Sequence, residues 1–150
     1  RFETNSNYRY DEALPWSMIS MTWTNGVTIK NNTFINTNNH LTYNNNYSFP
    51  EQLGFGVLTF ASNFNIRIPL VSRTGDGNRI ENLNYGVVMA WEPYSKYTTN
   101  LYGNTFVNNR RSVFLAGANR STIVNNSFDV PVSRWSPGFG QITDQSYGIY

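Results

Sequence analysis

Side chains that could catalyse cleavage of a glycosidic bond are sparse in this 150-residue chain. Hydrolysis of such a bond uses two carboxyl groups, one that protonates the leaving oxygen and one that activates water or attacks the sugar. The aspartates are Asp11, Asp76, Asp129 and Asp144, and no two are adjacent. The single histidine, His40, lies in an asparagine-rich run over residues 36–46 that is typical of an exposed loop. The sequence therefore favours a solvated His40 and carries no hydrolase signature.

The nearest approach to a cation site is the run Thr-Gly-Asp-Gly-Asn at residues 74–78, followed by Glu81. Ca²⁺ needs several oxygen ligands, usually with more than one carboxylate. A tight turn explains Gly-Asp-Gly-Asn without an ion. Because the chain has no cysteine, a disulfide framework and a thiolate metal site are excluded. We therefore expect no cofactor, with Ca²⁺ reserved for the lyase alternative described below.

Basic residues are too few and too scattered to track a phosphate backbone. Eleven Lys and Arg residues against nine Asp and Glu residues give a formal net charge of +2. The only adjacent basic pair is Arg110 and Arg111, whereas nucleic-acid surfaces cluster such residues. This pair could bind an acidic sugar, but a solvated pair at a bend is the favoured interpretation. We therefore expect no nucleic-acid partner. Apolar runs such as residues 85–91 are too short to span a bilayer, so we also expect no membrane span.

Composition indicates an ordered, all-β protein. Asparagine accounts for 23 residues, aromatic residues make up 16% of the chain and charged residues 13%. Disordered chains are poor in aromatic residues and rich in charge, so this chain can form a core. Good helix formers are scarce, while Thr, Val, Ile, Tyr and Phe, which suit strands, are frequent.

A five-residue pattern recurs along the chain: Asn, any residue, Phe or Ile, any residue, and usually Asn. Its copies are residues 32–36, 78–82, 104–108 and 126–130. The central residues are 46, 26 and 22 positions apart, so the first interval is either two periods or one period with a long insertion. In two copies an apolar run follows seven residues after the centre, at Val87 and Val113. Short strands at this period, with no helical pattern between them, predict a solenoid of parallel strands.

Stacking of equivalent residues about 4.8 Å apart would give such a solenoid two structural columns. The apolar column consists of Phe34, Ile80, Phe106 and Phe128. The polar column is an asparagine ladder of Asn32, Asn104 and Asn126. Asparagine tolerates the left-handed conformation that sharp bends require, and stacked asparagine amides can hydrogen-bond to one another. We therefore expect the asparagines of the pattern to be structural.

Two segments, Val-Thr-Ile-Lys-Asn-Asn-Thr-Phe at residues 27–34 and Ser-Thr-Ile-Val-Asn-Asn-Ser-Phe at residues 121–128, carry a family resemblance. They resemble the repeats of right-handed parallel β-helix proteins of the pectate-lyase-like superfamily. The resemblance covers residues 16–150 and implies a right-handed parallel β-helix of about four to five rungs. This fold carries polysaccharide lyases, glycoside hydrolases, phage tailspikes and secreted bacterial surface proteins without known catalysis, so it does not determine function. In character the chain is closest to the last group.

We expect residues 1–15 to form an N-terminal lead-in and residues 16–150 to form the β-helix segment, with insertions around residues 37–55 and 131–145. The chain starts at Arg1 and stops at residues 147–150, which align with the middle of a strand. No end cap is legible, although a solenoid needs one to cover its open edges. The sequence therefore predicts a fragment of a longer β-helix, truncated within its last rung, which packs against the remaining rungs of its own chain.

Stacking also predicts one surface patch with the character of a sugar site. The bend after residues 87–90 carries Trp91, Glu92 and Tyr94, and the corresponding bend of the next repeat carries Asn119 and Arg120. An aromatic ring beside hydrogen-bonding side chains suits a sugar, whose apolar face stacks on the ring. In the alternative, which we favour from sequence alone, the two rings pack within a short insertion and Glu92 pairs with Arg120.

Four Asn-x-Ser/Thr sequons begin at Asn31, Asn46, Asn119 and Asn125. Several are expected by chance in a chain so rich in asparagine and threonine. Asn31 and Asn125 fall inside the repeat at the predicted ladder, where a glycan would obstruct stacking. We therefore interpret these two as structural.

These patterns favour a non-catalytic segment of a secreted or cell-surface protein. Its β-helix would act as a rigid scaffold and offer a carbohydrate-binding surface to a polysaccharide or to another surface protein. The alternative is a polysaccharide lyase, or another carbohydrate-active enzyme, whose catalytic residues lie partly outside this segment. Such lyases use Arg or Lys as the base and a cation such as Ca²⁺ to neutralise the uronate. A third interpretation, a trimeric tailspike or fibre, would need apolar columns on an outer face.

Overall fold

The computed structural model of the chain describes residues 1–4, 17–37, 55–62, 64–67, 77–90, 97–119, 121–130, 134–136, 140–142 and 147–149. Within these residues every regular element is a β-strand of three to six residues, and none is helical. The strands are β1 (Phe2–Thr4), β2 (Ser17–Thr22), β3 (Val27–Ile29), β4 (Thr33–Asn36), β5 (Phe55–Phe60), β6 (Phe64–Arg67), β7 (Arg79–Glu81), β8 (Tyr85–Ala90), β9 (Thr99–Tyr102), β10 (Thr105–Val107), β11 (Arg111–Leu115), β12 (Thr122–Val124), β13 (Ser127–Asp129), β14 (Arg134–Ser136), β15 (Gly140–Ile142) and β16 (Tyr147–Ile149).

The strands form three parallel sheets, which the chain visits in rotation. Sheet A has the order β1-β4-β7-β10-β13, sheet B the order β2-β5-β8-β11-β16 and sheet C the order β3-β6-β9-β12. From β2 to β13 the strands fall into four sets of three, such as β2, β3 and β4, each set contributes one strand to every sheet, and we call such a set a repeat. A separate pair, β14 and β15, is antiparallel. The prediction of an all-β fold with parallel strands is confirmed for the described residues.

Strand pairing shows which interpretation of the 46-residue interval in the sequence pattern is correct. Strand β4 pairs directly with β7, and Phe34 is the partner of Ile80. The interval of 46 residues is therefore one repeat with a long excursion, not two repeats. Within the predicted insertion around 37–55, residues 38–54 lie outside the described residues, as do residues 5–15 of the predicted lead-in. The predicted insertion around 131–145 contains β14 and β15.

Apolar side chains of sheet A stack in one column. The register runs from Phe2 through Phe34, Ile80 and Phe106 to Phe128. The three central side chains are fully buried. At each end of the column two phenylalanine rings stack, with centroids 4.9 Å apart and planes 5° from parallel. The four residues that the repeat pattern placed together are thus register partners, and Phe2, from the predicted lead-in, extends their column.

Sheets B and C supply two further columns of register partners. Those of sheet B are Ile19, Val57, Val87, Val113 and Ile149. Those of sheet C are Ile29, Ile66, Leu101 and Ile123. The central members of all three columns belong to one buried cluster. Full burial of each such side chain stabilises the fold by about 1.5–3 kcal/mol, so stacking of the repeats provides most of the core.

Gly86, in strand β8, lets sheet B approach the apolar column of sheet A closely. A Cβ atom on Gly86 would lie 3.1 Å from Ile80 Cγ2, 3.2 Å from Phe106 Cδ1 and 2.5 Å from the carbonyl oxygen of Ser112. Gly86 is not among the residues with a left-handed φ. Steric room, rather than backbone freedom, therefore requires glycine at this position.

Replacement of Gly86 by alanine should lower the free energy of unfolding by about 1–3 kcal/mol, because the methyl group overpacks a filled interior. Gly148→Ala is the matched control, since its Cβ would lie 3.5 Å from the Phe128 ring, an ordinary contact distance. We expect this control to stay within about 0.5 kcal/mol of the parent. Urea denaturation followed by tryptophan fluorescence measures both. Equal midpoints for the two variants would contradict the close approach at Gly86.

Candidate functional site

An asparagine ladder runs through the bend between sheets C and A. Its members are Asn32, Asn78, Asn104 and Asn126, one from each repeat. Asn126 Oδ1 accepts hydrogen bonds from the backbone N–H and from Nδ2 of Asn104, both at 2.9 Å. Asn104 Oδ1 accepts the equivalent pair from Asn78, at 3.2 and 2.9 Å. Asn78 Oδ1 accepts the backbone N–H of Asn32 at 3.0 Å, so the ladder is continuous through four repeats.

Each ladder asparagine after the first also ties the bend to the sheet C strand of the preceding repeat. The Nδ2 groups of Asn78, Asn104 and Asn126 are the donors, and the acceptors are the carbonyl oxygens of Ile29, Ile66 and Leu101, at 2.8 to 3.0 Å. Asn78 and Asn104 are 1% exposed, so water does not satisfy their amides. A stranded buried polar group costs roughly 1–3 kcal/mol. The side chains of the ladder are therefore part of the fold.

Asn78 is the ladder member that the sequence analysis missed. From sequence it belongs to the Gly-Asp-Gly-Asn turn considered for Ca²⁺, although its position in the five-residue pattern matches that of the other ladder asparagines. In the structure the Asn78 amide is used by the ladder, and Glu81 pairs with Arg79 at 2.8 Å. Asp76 lies outside the described residues.

A second set of residues makes the bends themselves. Asn31, Gly103 and Asn125 each precede a ladder asparagine and have left-handed φ angles of 56°, 62° and 55°. At the bend between sheets A and B, Asn82 and Asn108 have φ angles of 58° and 50°, and Asn108 Nδ2 donates to Asn82 Oδ1 at 2.8 Å. The left-handed bend and the buried ladder thus fall on neighbouring residues between sheets C and A.

The bend between sheets B and C carries two exposed aromatic side chains. Trp23 is 69% exposed and Phe60 is 41% exposed, and the Trp23 N–H donates to the Phe60 carbonyl oxygen at 3.1 Å. Trp23 has a φ of 55°, where a bulky side chain costs on the order of 1–3 kcal/mol. The equivalent bend residue, Ala61, has a φ of 46° and is buried. Thr22 and Asn25 beside Trp23 are exposed, and we call Thr22, Trp23, Asn25 and Phe60 the aromatic corner.

Of the five residues predicted to form a sugar site, the structure describes Asn119. The other four, Trp91, Glu92, Tyr94 and Arg120, lie outside the described residues. The Asn119 N–H donates to the Tyr97 carbonyl oxygen at 2.8 Å, and its own carbonyl oxygen accepts the Thr98 hydroxyl at 3.2 Å. These bonds hold the Asn119 backbone, and its side chain is exposed.

The interpretation of Arg110 and Arg111 as a solvated pair is wrong for Arg111. The Arg111 guanidinium carbon lies 5.0 Å from the centroid of the Tyr85 ring, and Nη1 donates to the Tyr85 hydroxyl. Tyr85 stacks in turn on Phe55, with ring centroids 5.0 Å apart. The register of β11 on β8 on β5 places these three residues in one column. Stacking of the repeats therefore supplies Arg111 with a cation–π partner.

Charged side chains in the described part of the chain form two salt bridges. Arg1 pairs with Glu3 at 3.0 Å and Arg79 with Glu81 at 2.8 Å, each within one strand or beside it. In the same residues no group of three or more His, Cys, Asp or Glu side chains could hold a metal ion. Nor do these residues include a helix that is long and apolar enough to cross a membrane.

Truncation of one ladder residue tests its contribution directly. Asn104→Ala should lower the free energy of unfolding by about 2–4 kcal/mol, because it strands the Asn78 amide and the Ile66 carbonyl in the interior. Asn125→Gly is the matched control. It removes an exposed asparagine but keeps the left-handed bend, so we expect a change within about 0.5 kcal/mol. Urea denaturation of both variants is the measurement, and an Asn104→Ala loss no larger than that of the control would refute a structural ladder.

Comparison of the chain with protein-family models, with curated proteins and with solved structures finds no match in any of the three. The candidate sites are therefore defined by the geometry of the chain itself, namely the buried asparagine ladder and the exposed aromatic corner.

Proposed function

We propose that this chain is a segment of a right-handed parallel β-helix of the pectate-lyase-like type. In this proposal it serves a secreted or cell-surface protein as a non-catalytic scaffold and as a carbohydrate-binding surface. Support for the β-helix comes from the rotation of the chain through three parallel sheets, with equivalent residues as register partners. A right-handed path accords with the strong preference of parallel crossover connections for that hand. The four described repeats, with β1 and β16 beside them, agree with about four to five rungs.

Rigidity is the property that suits this architecture to a scaffold. Neighbouring repeats are joined by three strand pairings, by the apolar columns and by the asparagine ladder. Bending the stack would open these contacts on one side and strand buried amide groups, each at a cost of roughly 1–3 kcal/mol. Four repeats spaced about 4.8 Å apart hold groups on their outer faces at fixed separations of up to about 14 Å.

The observation that carries the carbohydrate-binding part of the proposal is the exposed Trp23. A large aromatic side chain occupies a left-handed bend position, where asparagine or glycine would be less strained. Strained residues that persist in a fold are concentrated at functional sites. The Trp23 ring offers an apolar face for a pyranose, and the exposed Thr22 and Asn25 offer hydrogen-bonding groups for sugar hydroxyls.

The repeat connects this corner with the sugar site predicted from the sequence. Thr22, Phe60 and Ala90 are register partners in β2, β5 and β8. In the sequence Trp23 directly follows Thr22, and Trp91 directly follows Ala90. The proposal therefore includes Trp91 and Tyr94 as further stacking residues, with Glu92, Asn119 and Arg120 as hydrogen-bonding groups. The partner is a polysaccharide, either free or carried by another surface protein.

Trp23→Asn separates binding from folding. Asparagine accepts a left-handed φ more readily than tryptophan, so the variant should be as stable as the parent or about 1 kcal/mol more stable. Loss of the ring should weaken binding to an oligosaccharide panel by about tenfold, which corresponds to about 1.4 kcal/mol of stacking. Binding is measured by calorimetry on neutral and uronate-containing oligosaccharides. Val124→Ala, which truncates an exposed apolar side chain on sheet C, is the control and should bind like the parent.

Unchanged affinity of Trp23→Asn for every oligosaccharide that the parent binds would contradict a site at the aromatic corner. A parent chain that binds none of them would contradict the carbohydrate-binding part of the proposal and leave the scaffold part standing.

Incubation with uronate polymers tests whether this chain is itself catalytic. A lyase releases unsaturated oligosaccharides, whose conjugated double bond absorbs in the ultraviolet, whereas a scaffold releases none. We expect no increase in absorbance with or without added Ca²⁺. A steady increase that depends on this chain would overturn the non-catalytic proposal in favour of the lyase.

A further inference from the structure

Two sequons lie at equivalent bends, one between β3 and β4 and one between β12 and β13. They begin at Asn31 and Asn125, and their middle residues are the ladder members Asn32 and Asn126. The side chains of Asn31 and Asn125 are exposed and form no hydrogen bond with a described residue. The ladder uses the neighbouring asparagine in each case, so the side chains of Asn31 and Asn125 lie outside it.

The corner between these two asparagines carries no side chains. The sheet A register places Asn31, Gly77, Gly103 and Asn125 at equivalent positions of successive repeats. Both intervening residues are glycines, and a Cβ atom on Gly77 would clash with the carbonyl oxygen of Gly103. Three strand spacings, or about 14 Å, separate Asn31 from Asn125. No side chain of the two intervening residues stands between the sequons, and at this separation a glycan on one asparagine does not meet a glycan on the other at its base.

We propose that Asn31 and Asn125 are acceptors for N-linked glycosylation. Nδ2 of the asparagine forms a bond to C1 of the first sugar of a lipid-linked oligosaccharide pyrophosphate. The bond from C1 to the pyrophosphate oxygen breaks, the lipid pyrophosphate leaves with the bonding electrons, and Nδ2 loses one proton to the oligosaccharyltransferase. Thr33 and Ser127 supply the sequon hydroxyls. The inference rests on the secreted or cell-surface location proposed above and applies to a source cell that has this transferase, because the transferase acts on chains that enter the secretory pathway.

The two glycans would occupy a different corner from the proposed sugar-binding surface. Asn31 and Asn125 lie between sheets C and A, whereas Trp23 lies between sheets B and C. Glycosylation therefore leaves the aromatic corner open. It covers the outer side of the bend whose inner side is the asparagine ladder.

The test uses the full 150-residue chain, secreted from a eukaryotic cell line behind a cleavable signal peptide. A reporter sequon is added on a flexible C-terminal linker. Molecules that carry a glycan on this reporter are isolated with a lectin. Every molecule analysed has therefore met the transferase. Enzymatic release of the glycans in ¹⁸O-water marks each formerly glycosylated asparagine by a mass increase, which peptide mapping assigns. We expect marks on Asn31 and Asn125.

Two variants identify the acceptor. Ser127→Ala destroys the second sequon without touching a ladder side chain, and it should lose the mark on Asn125 while keeping that on Asn31. Ser127→Thr preserves the sequon and should keep both. Unmarked Asn31 and Asn125 in molecules with a glycosylated reporter would overturn the inference. Sugar binding is measured separately, on the unglycosylated chain produced in bacteria. The proposed function and this inference can therefore fail independently.

Discussion

Parallel stacking at one strand spacing imposes a single constraint on this protein: a polar group that is buried in a bend is costly unless it finds a partner, and the neighbouring repeats are the nearest source of one. The asparagine ladder meets this constraint between sheets C and A, because one side chain both accepts from the repeat before it and donates to that repeat's strand. The apolar columns depend on the same register, since a slip at the ladder would displace Phe34, Ile80 and Phe106 from one another. Because Gly86 has no side chain, sheet B can pack closely against the apolar column of sheet A.

The three bends differ in the residues that form them. These differences distinguish two structural bends from the bend that we propose for binding. The bend between sheets C and A is filled by buried amides, with left-handed Asn or Gly on its outside. The bend between sheets A and B also uses left-handed asparagines, which bond to each other. The bend between sheets B and C instead exposes Trp23 at a strained φ, which the stability of the rest of the fold must offset. Interaction chemistry is therefore expected at this corner, on a scaffold fixed by the other two.

The all-β class, the apolar column and most of the ladder could be read from the sequence because they depend on residues at a fixed offset from the Asn-x-Phe pattern. Asn78 was missed because Gly-Asp-Gly-Asn also describes a tight turn, and only strand pairing shows its amide bonded to Asn104. Phe2 was missed because β1 lies outside the repeat pattern. Exposure of Trp23 and stacking of Arg111 on Tyr85 depend on the register of sheet B, which the sheet A pattern does not specify. Sequence periodicity thus predicts what lies inside the stack better than what faces outward.

The most direct test of the central claim, that buried asparagine amides lock the repeats together, is hydrogen exchange of the asparagine side-chain amides measured by NMR. A continuous ladder predicts that the Nδ2 protons of Asn78 and Asn104 exchange far more slowly than those of the exposed Asn31 and Asn125, at rates close to those of the neighbouring backbone amides. Equal exchange rates for all four side chains would contradict the ladder and the stacked register that depends on it.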